Sequence, residues 1–155
     1  MTGPPASYGR AVVIGVGNEF RHDDGAGPAV VTRLSGRVPE GVELHLSEGE
    51  PTRLIEAWDG AALAVVVDAV RAEPAVPGRL HRPGAARPAS SHGLGLGEAI
   101  GLAQALDRMP GVLILHAVEA ADLGQGTGLS PAVAAVIDAL AAAVLRDLRG
   151  PSRPR

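Results

Sequence analysis

Apolar residues in this chain occur in short runs that alternate with stretches of helical spacing. Three runs are apolar at almost every position, which predicts strands buried on both faces over residues 11–16, 62–67 and 112–118. Residues 38–47 alternate apolar and polar side chains and predict a strand with one polar face. Residues 78–82 predict a short edge strand.

Helical spacing predicts helices over residues 27–34, 51–58, 90–106 and 130–148, with Ser90-Ser91 as the cap of the third. Strands that alternate with helices are typical of the α/β class. We therefore predict a single three-layer α/β/α sandwich with a mostly parallel, about five-stranded twisted sheet. The predicted domain spans 10–149, and the Pro/Gly-rich residues 1–9 and 150–155 are expected to be flexible tails.

The amino-acid composition excludes several kinds of site and function. The 155-residue chain has no cysteine, which excludes disulfides, thiolate metal sites and a cysteine nucleophile. It carries a net charge of −3 and no lysine, so no basic surface for nucleic acid is evident. No secretion signal or membrane-spanning run is visible. We expect a cytoplasmic protein that binds neither membrane nor nucleic acid, and a monomer because no large apolar patch is evident.

Polar groups lie where the predicted strands end. Asp23 and Asp24 follow the first strand, the third ends at Asp68, and His92 opens the next predicted helix. The carboxyl ends of parallel strands share one edge of a sheet, where ligands bind in this class. Two carboxylates and an imidazole there suit a divalent metal such as nickel, zinc or manganese, or acid–base chemistry.

Each of these residues also has a purely structural interpretation. Asp24 could cap the first helix, Asp68 could form a turn, and His92 could be an ordinary surface residue near a helix start. His116 and Glu19 are alternative ligands should one of the three fail.

Four segments form an ordered set of motifs along the chain. The first is Gly15-Val16-Gly17-Asn18 followed by Asp23-Asp24-Gly25-Ala26-Gly27. The others follow in order: Val65-Val66-Val67-Asp68-Ala69, Ser90-Ser91-His92-Gly93-Leu94 and Gly128-Leu129-Ser130-Pro131. Together they resemble the hydrogenase maturation proteases, which trim the C-terminus of the nickel–iron hydrogenase large subunit.

The resemblance implies an endopeptidase that removes the C-terminal extension of a nickel-loaded [NiFe] hydrogenase large-subunit precursor. It places the catalytic and metal-recognition residues at Asp24, Asp68 and His92, with nickel carried by the precursor rather than held permanently. It also implies a twisted five-stranded α/β/α sandwich. The sequence departs from the family at Glu48-Gly49-Glu50-Pro51-Thr52, where many members have an Asp-Gly-Gly-Thr type segment, and at Glu119, where an amide is common.

Three other functions remain open at this point. The Gly15-x-Gly17 start is shared with dinucleotide-binding proteins, but Phe20 occupies the position of their third glycine. Peptidyl-tRNA hydrolases also have a strand that runs into Gly-x-Gly-Asn, and His22 follows it here, although the acid pair opposes RNA binding. A metal-binding assembly protein of the maturation-protease fold without peptidase activity is the third.

Overall fold

The computed structural model describes residues 9–82 and 94–150. The strands in these ranges are β1 (Ala11–Val16), β2 (Val42–Ser47), β3 (Leu63–Val70), β4 (Leu80–His81) and β5 (Val112–Glu119). The α-helices are α1 (Ala26–Leu34), α2 (Pro51–Trp58), α3 (Leu94–Leu106), α4 (Pro131–Ala134) and α5 (Ile137–Leu148). A 3-10 turn over His22–Gly25 leads directly into α1.

The five strands form one sheet in the order β2-β1-β3-β5-β4. All pairs are parallel except β4 with β5, which is antiparallel. The predicted α/β class with a mostly parallel, five-stranded sheet is therefore confirmed.

Helices cover both faces of the sheet because its central strands β1 and β3 are apolar on both sides. On one face, Val13 and Val65 pack with Val30 of α1 and with Leu140 and Val144 of α5. The opposite core is built by Ile14 and Val66 from the sheet, Leu54 and Trp58 from α2, and Ala103 from α3, with other small residues. Trp58 is fully buried, and its indole N–H donates to the Arg108 carbonyl at 3.0 Å.

The order of the strands creates a crevice between β1 and β3. The chain leaves β1 through α1 toward β2 on one side, then crosses by α2 to β3 on the other side, and the two helices lie on opposite faces. At such a reversal the connections diverge and leave open space beyond the carboxyl ends of the strands, where ligands bind in open α/β sheets.

The backbone of α1 packs closely against the backbone of β1. A Cβ atom built on Gly15 would lie 2.5 Å from the Gly27 carbonyl oxygen, and one on Gly27 would lie 2.5 Å from the Val16 carbonyl oxygen. Only glycine allows the two backbones to approach so closely. The start of α1 is therefore held directly against the end of β1.

Some predicted boundaries were wrong. The third strand does not stop at Asp68 but continues to Val70, because β5 is equally long and pairs with it up to Glu119. The second strand begins at Val42 rather than residue 38, and Leu46 is exposed. The single helix predicted over 130–148 is two helices, because the backbone leaves helical geometry at Val136. The predicted Ser90-Ser91 cap and the flexible tails lie outside the described residues, apart from Gly9 and Gly150.

No helix among residues 9–82 and 94–150 is long and apolar enough to cross a membrane.

Candidate active site

Asp68 lies at the crevice between β1 and β3. It follows Val66 by two residues on β3, so its side chain leaves the sheet on the α2 and α3 side. Only 8% of the residue is exposed. Burial raises the pKa of the Asp68 carboxyl to about 7, and the neighbouring charge of Asp24 adds to the rise, while the Ala69 backbone N–H opposes it. The structural interpretation of Asp68 as a turn former is wrong, since the residue lies within a strand.

Asp24 is held at the same crevice by the glycine turn that follows β1. Its Oδ2 accepts a hydrogen bond from the Asn18 backbone N–H at 2.8 Å, and the Arg21 guanidinium lies 4.0 Å away. The turn needs Gly17, whose φ of 138° is in a region that other residues rarely adopt and whose Cβ would collide with the Asp24 carbonyl. No side chain caps α1, so the interpretation of Asp24 as a helix cap is wrong as well.

Asp23 faces the other way from its neighbour and is fully buried. Its carboxylate accepts hydrogen bonds from the backbone N–H groups of Ala121, Asp122 and Ser130 and from the Ser130 hydroxyl, all at 2.7–3.0 Å. Burial favours the neutral acid, but these four bonds outweigh it and lower the pKa of Asp23. Asp23 therefore joins the loop after β1 to the loop after β5.

The predicted third member of the site, His92, lies outside the described residues. Of the alternative ligands, His116 is on the wrong face: it shares the α5 side of β5 with Ile114, and its Nε2 lies 2.6 Å from Asp147. Glu19 is exposed at the crevice mouth. The structure thus brings Asp24 and Asp68 together and separates His116 from them.

The remaining histidines in the described ranges have local partners. The His22 ring contacts the Gly128 carbonyl, His45 contacts Glu43 and His81 contacts Glu119. Within these ranges, no group of three acidic, histidine or cysteine side chains is placed to hold a metal ion.

The two departures from the family pattern differ in their surroundings. Glu119 is buried and accepts hydrogen bonds from the Val76 backbone N–H and the His81 ring, which together with the nearby Arg79 lower its pKa. Its role is to tie the loop after β3 and strand β4 to β5. Glu48 is exposed beside Gly49, whose left-handed φ of 101° forms the turn before α2.

Asn18 is a site residue that pattern reasoning did not single out. Its backbone N–H binds Asp24, and its side-chain oxygen accepts the Phe20 backbone N–H at 2.8 Å. An asparagine directly after a glycine is typical of turns in which the side chain bonds nearby backbone, and this was the available signal.

The arrangement at the crevice is a pair of acids that have one weak cation contact between them, from Arg21 to Asp24. Among the described residues, no arginine or histidine forms an ion pair with Asp68, and the nearest cation to Asp24 is the half-exposed Arg21. Like charges at close range resist ionising together unless a cation joins them. Oxygen donors that lack a protein cation are suited to bind a metal ion presented from outside the chain.

Comparisons with known proteins agree with this geometry. The sequence model of the hydrogenase maturation protease family matches residues 49–147, a range that contains Asp68 and His92 and starts after Asp24. A search of curated proteins gave no match.

Solved structures extend the similarity over nine-tenths of the chain. The hydrogenase maturating endopeptidase HybD from E. coli is 27% identical, with a TM-score of 0.77 over 90% of this chain and 92% of that one. The hydrogenase 2 maturation peptidase from a Thaumarchaeota archaeon is 27% identical, with a TM-score of 0.67 over 90% and 97%. The HybD protease from Thermococcus kodakarensis, at 23% identity and a TM-score of 0.68 over 90% and 99%, shares the fold.

The family match over most of the chain, the shared fold and the acid pair at the crevice lead to one conclusion: this chain belongs to the hydrogenase maturation proteases and is an endopeptidase.

Proposed function

We propose that this endopeptidase removes the C-terminal extension of a [NiFe] hydrogenase large-subunit precursor and that it recognises nickel already bound in that precursor. The observation that carries the proposal is the neighbouring acids Asp24 and Asp68 at the β1–β3 crevice of a maturation-protease fold, with Asp68 buried and outside any ion pair of the described residues. Family membership disfavours the dinucleotide-binding and peptidyl-tRNA hydrolase alternatives.

Nickel enters this reaction as part of the substrate. Asp24, Asp68 and His92 would supply two carboxylate oxygens and one imidazole nitrogen to a metal that the precursor holds through its own ligands. In this proposal the three enzyme side chains bind the precursor through its nickel. A precursor without nickel would lack this contact, and its scissile bond would not be positioned. Nickel loading would then act as a checkpoint before cleavage.

The two acids are suited to this task for different reasons. Asp24 is oriented by the Asn18 N–H and needs no movement to present a carboxylate oxygen at the crevice. Asp68 is buried on the central strand β3, where it is paired with Ala117 of β5. A rigid pair of ligands positions a bound group without an ordering cost at the moment of reaction.

The test is incubation of the full chain with the large-subunit precursor from the same source, with and without bound nickel, followed by the product mass. We expect loss of a C-terminal peptide from the loaded form alone. Asp24→Asn and His92→Ala should abolish cleavage while the circular dichroism spectrum is retained. Asp107→Asn is the matched control, because Asp107 is exposed beyond the end of α3 and has a left-handed φ of 59° that asparagine tolerates.

Two results would contradict parts of the proposal. Cleavage of the unloaded precursor would keep the peptidase and reject nickel recognition by Asp24, Asp68 and His92. A loaded precursor that remains intact would reject the substrate, and nickel-dependent binding without cleavage would favour a metal-binding assembly role. The cytoplasmic location expected from the sequence stays a prediction.

A further inference from the structure

An aromatic ring is exposed at the mouth of the crevice. Phe20 is the only phenylalanine in the chain, and 61% of it is exposed. It lies four residues before Asp24, in the loop that connects β1 with the 3-10 turn. The one tryptophan, in contrast, is fully buried.

The backbone that carries this ring is fixed on both sides. The Phe20 N–H donates to Asn18 Oδ1 at 2.8 Å, and the Phe20 carbonyl accepts the Gly126 N–H at 2.9 Å. The next residue but one, His22, has a left-handed φ of 47° and is bonded through its N–H to the Gly126 carbonyl. The ring is therefore carried by a loop with a fixed backbone, and it is not part of the hydrophobic core.

Asn18 couples this ring to the candidate catalytic acid. Its backbone N–H holds the Asp24 carboxylate, while its side chain holds the Phe20 backbone. Phe20 and Asp24 therefore lie on one loop after β1, and both are held in place by hydrogen bonds to Asn18. The exposed neighbours Glu19 and Arg21 have opposite charges, so the apolar ring itself is the distinguishing feature of this rim.

We propose that Phe20 is a substrate-binding residue, which packs against an apolar side chain of the precursor segment that flanks the scissile bond. The inference rests on the proposed function and deepens it by naming a specificity contact. An aromatic anchor on a fixed backbone loses little conformational entropy on binding, which is why such residues dominate interface energetics.

The experiment compares steady-state cleavage of the nickel-loaded precursor by four full-length proteins: wild type, Phe20→Ala, Phe20→Leu and Leu106→Ala. Leu106 is a matched control, because it is 51% exposed and ends α3 shortly before β5 begins, toward the opposite edge of the sheet. We expect Phe20→Ala to raise KM by about tenfold or more with kcat within about twofold of wild type. Phe20→Leu should restore most of the loss, since leucine also offers apolar surface, and Leu106→Ala should match wild type.

A wild-type KM for Phe20→Ala would overturn the inference and leave the proposed function intact. A fall in kcat at unchanged KM would also overturn it, because the ring would then be supporting Asp24 rather than binding substrate. Failure of the wild type to cleave the loaded precursor would overturn the proposed function and the contact together.

Discussion

Asp23 and Asp24 are adjacent in the sequence, but their hydrogen bonds give them different roles. Asp23 is surrounded by four donors, which stabilise its charge and make it a structural link between two loops. Asp24 receives one backbone N–H and keeps an oxygen for other contacts at the crevice. Asp68 is buried, and no arginine or histidine among the described residues forms an ion pair with it; burial and the charge of Asp24 raise its pKa to about 7. The three acids have the same chemistry in solution, and their surroundings alone separate them.

The raised pKa of Asp68 predicts a pH-dependent stability of the metal-free protein. The folded-state pKa is about 7 against an ordinary value of 3.8, so the folded state binds more protons between those pH values. The contribution of Asp68 to the free energy of unfolding therefore falls as pH rises through this window. Asparagine cannot ionise, so Asp68→Asn should gain stability over wild type between pH 4 and 8, by roughly 2–4 kcal/mol. Urea unfolding at several pH values measures this gain, and a difference independent of pH would contradict it.

The pH dependence of stability expected from Asp23 has the opposite sign to that from Asp68. Its pKa is lowered in the folded state, so its stabilisation is present above the unfolded value near 4 and is lost as pH falls through the lower folded value. Asp23→Ala leaves three backbone donors without their acceptor and should cost about 1–3 kcal/mol or more at pH 7. Asp122→Ala is the control, because this exposed carboxylate accepts one N–H, from Gly124. Chemical denaturation at pH 7 compares them, and equal losses would show that the buried link contributes nothing special.

At the scale of elements, the site depends on how closely α1 and the loop after β5 approach the end of β1. Glycines at 15 and 27 let the helix backbone touch the strand backbone. The loop after β5 is joined to the loop after β1 by Asp23 and by backbone bonds between Gly126 and both Phe20 and His22. Asp24 is therefore held in place by the contacts among α1, the loop after β1 and the loop after β5.

The glycine contact predicts contrasting effects for two Gly→Ala substitutions. Gly27→Ala places a methyl group 2.5 Å from the Val16 carbonyl oxygen and 2.7 Å from that of Val67, so backbone must move. We expect a loss of roughly 1–3 kcal/mol, typical of an overpacked core. Gly101→Ala, within α3, meets nothing within 4 Å and should stabilise by up to about 1 kcal/mol, since alanine favours helix. Thermal unfolding distinguishes them; a stable Gly27→Ala variant would mean that α1 can shift freely.

For the whole molecule, topology decides where the chemistry lies. The strand order places a reversal of the winding between β1 and β3. Of the two acids of the crevice, Asp24 lies in the turn after β1 and Asp68 lies near the carboxyl end of β3. Both faces of the sheet are covered by helices, so a substrate reaches the two acids from the carboxyl edge of the sheet.

The exposed apolar side chains predict a monomer. Among the described residues they fall in three places: Phe20 and Leu46 toward the carboxyl edge of the sheet, Val76 and Leu80 at β4 and the loop before it, and Leu102, Leu106 and Val112 along α3 and the start of β5. Stable homodimers bury a larger contiguous apolar surface. Sedimentation at micromolar concentration should give the mass of one chain, and a concentration-dependent dimer would contradict this expectation.

The sequence by itself determined the class of fold and the region of the site. Short continuous apolar runs such as residues 64–67 favour strands buried on both faces, and parallel strands of this kind need crossover connections, usually helices, between them. The glycine turn and its acids marked the mouth of the first strand. These features can be predicted from the sequence because the spacing of apolar residues, the residues of a turn and the ends of a strand depend on residues that are close in sequence.

Only the tertiary structure decided the roles of individual polar residues. Asp23 turns toward the loop after β5, nearly a hundred residues away, while Asp24 turns toward Asp68, and nothing in the sequence of either separates them. His116 was excluded because register places it on the α5 face with Asp147. Asp68 remained inside its strand because β5 is long enough to pair with it. Each outcome depends on which distant group supplies a hydrogen bond, and that is set when the layers pack.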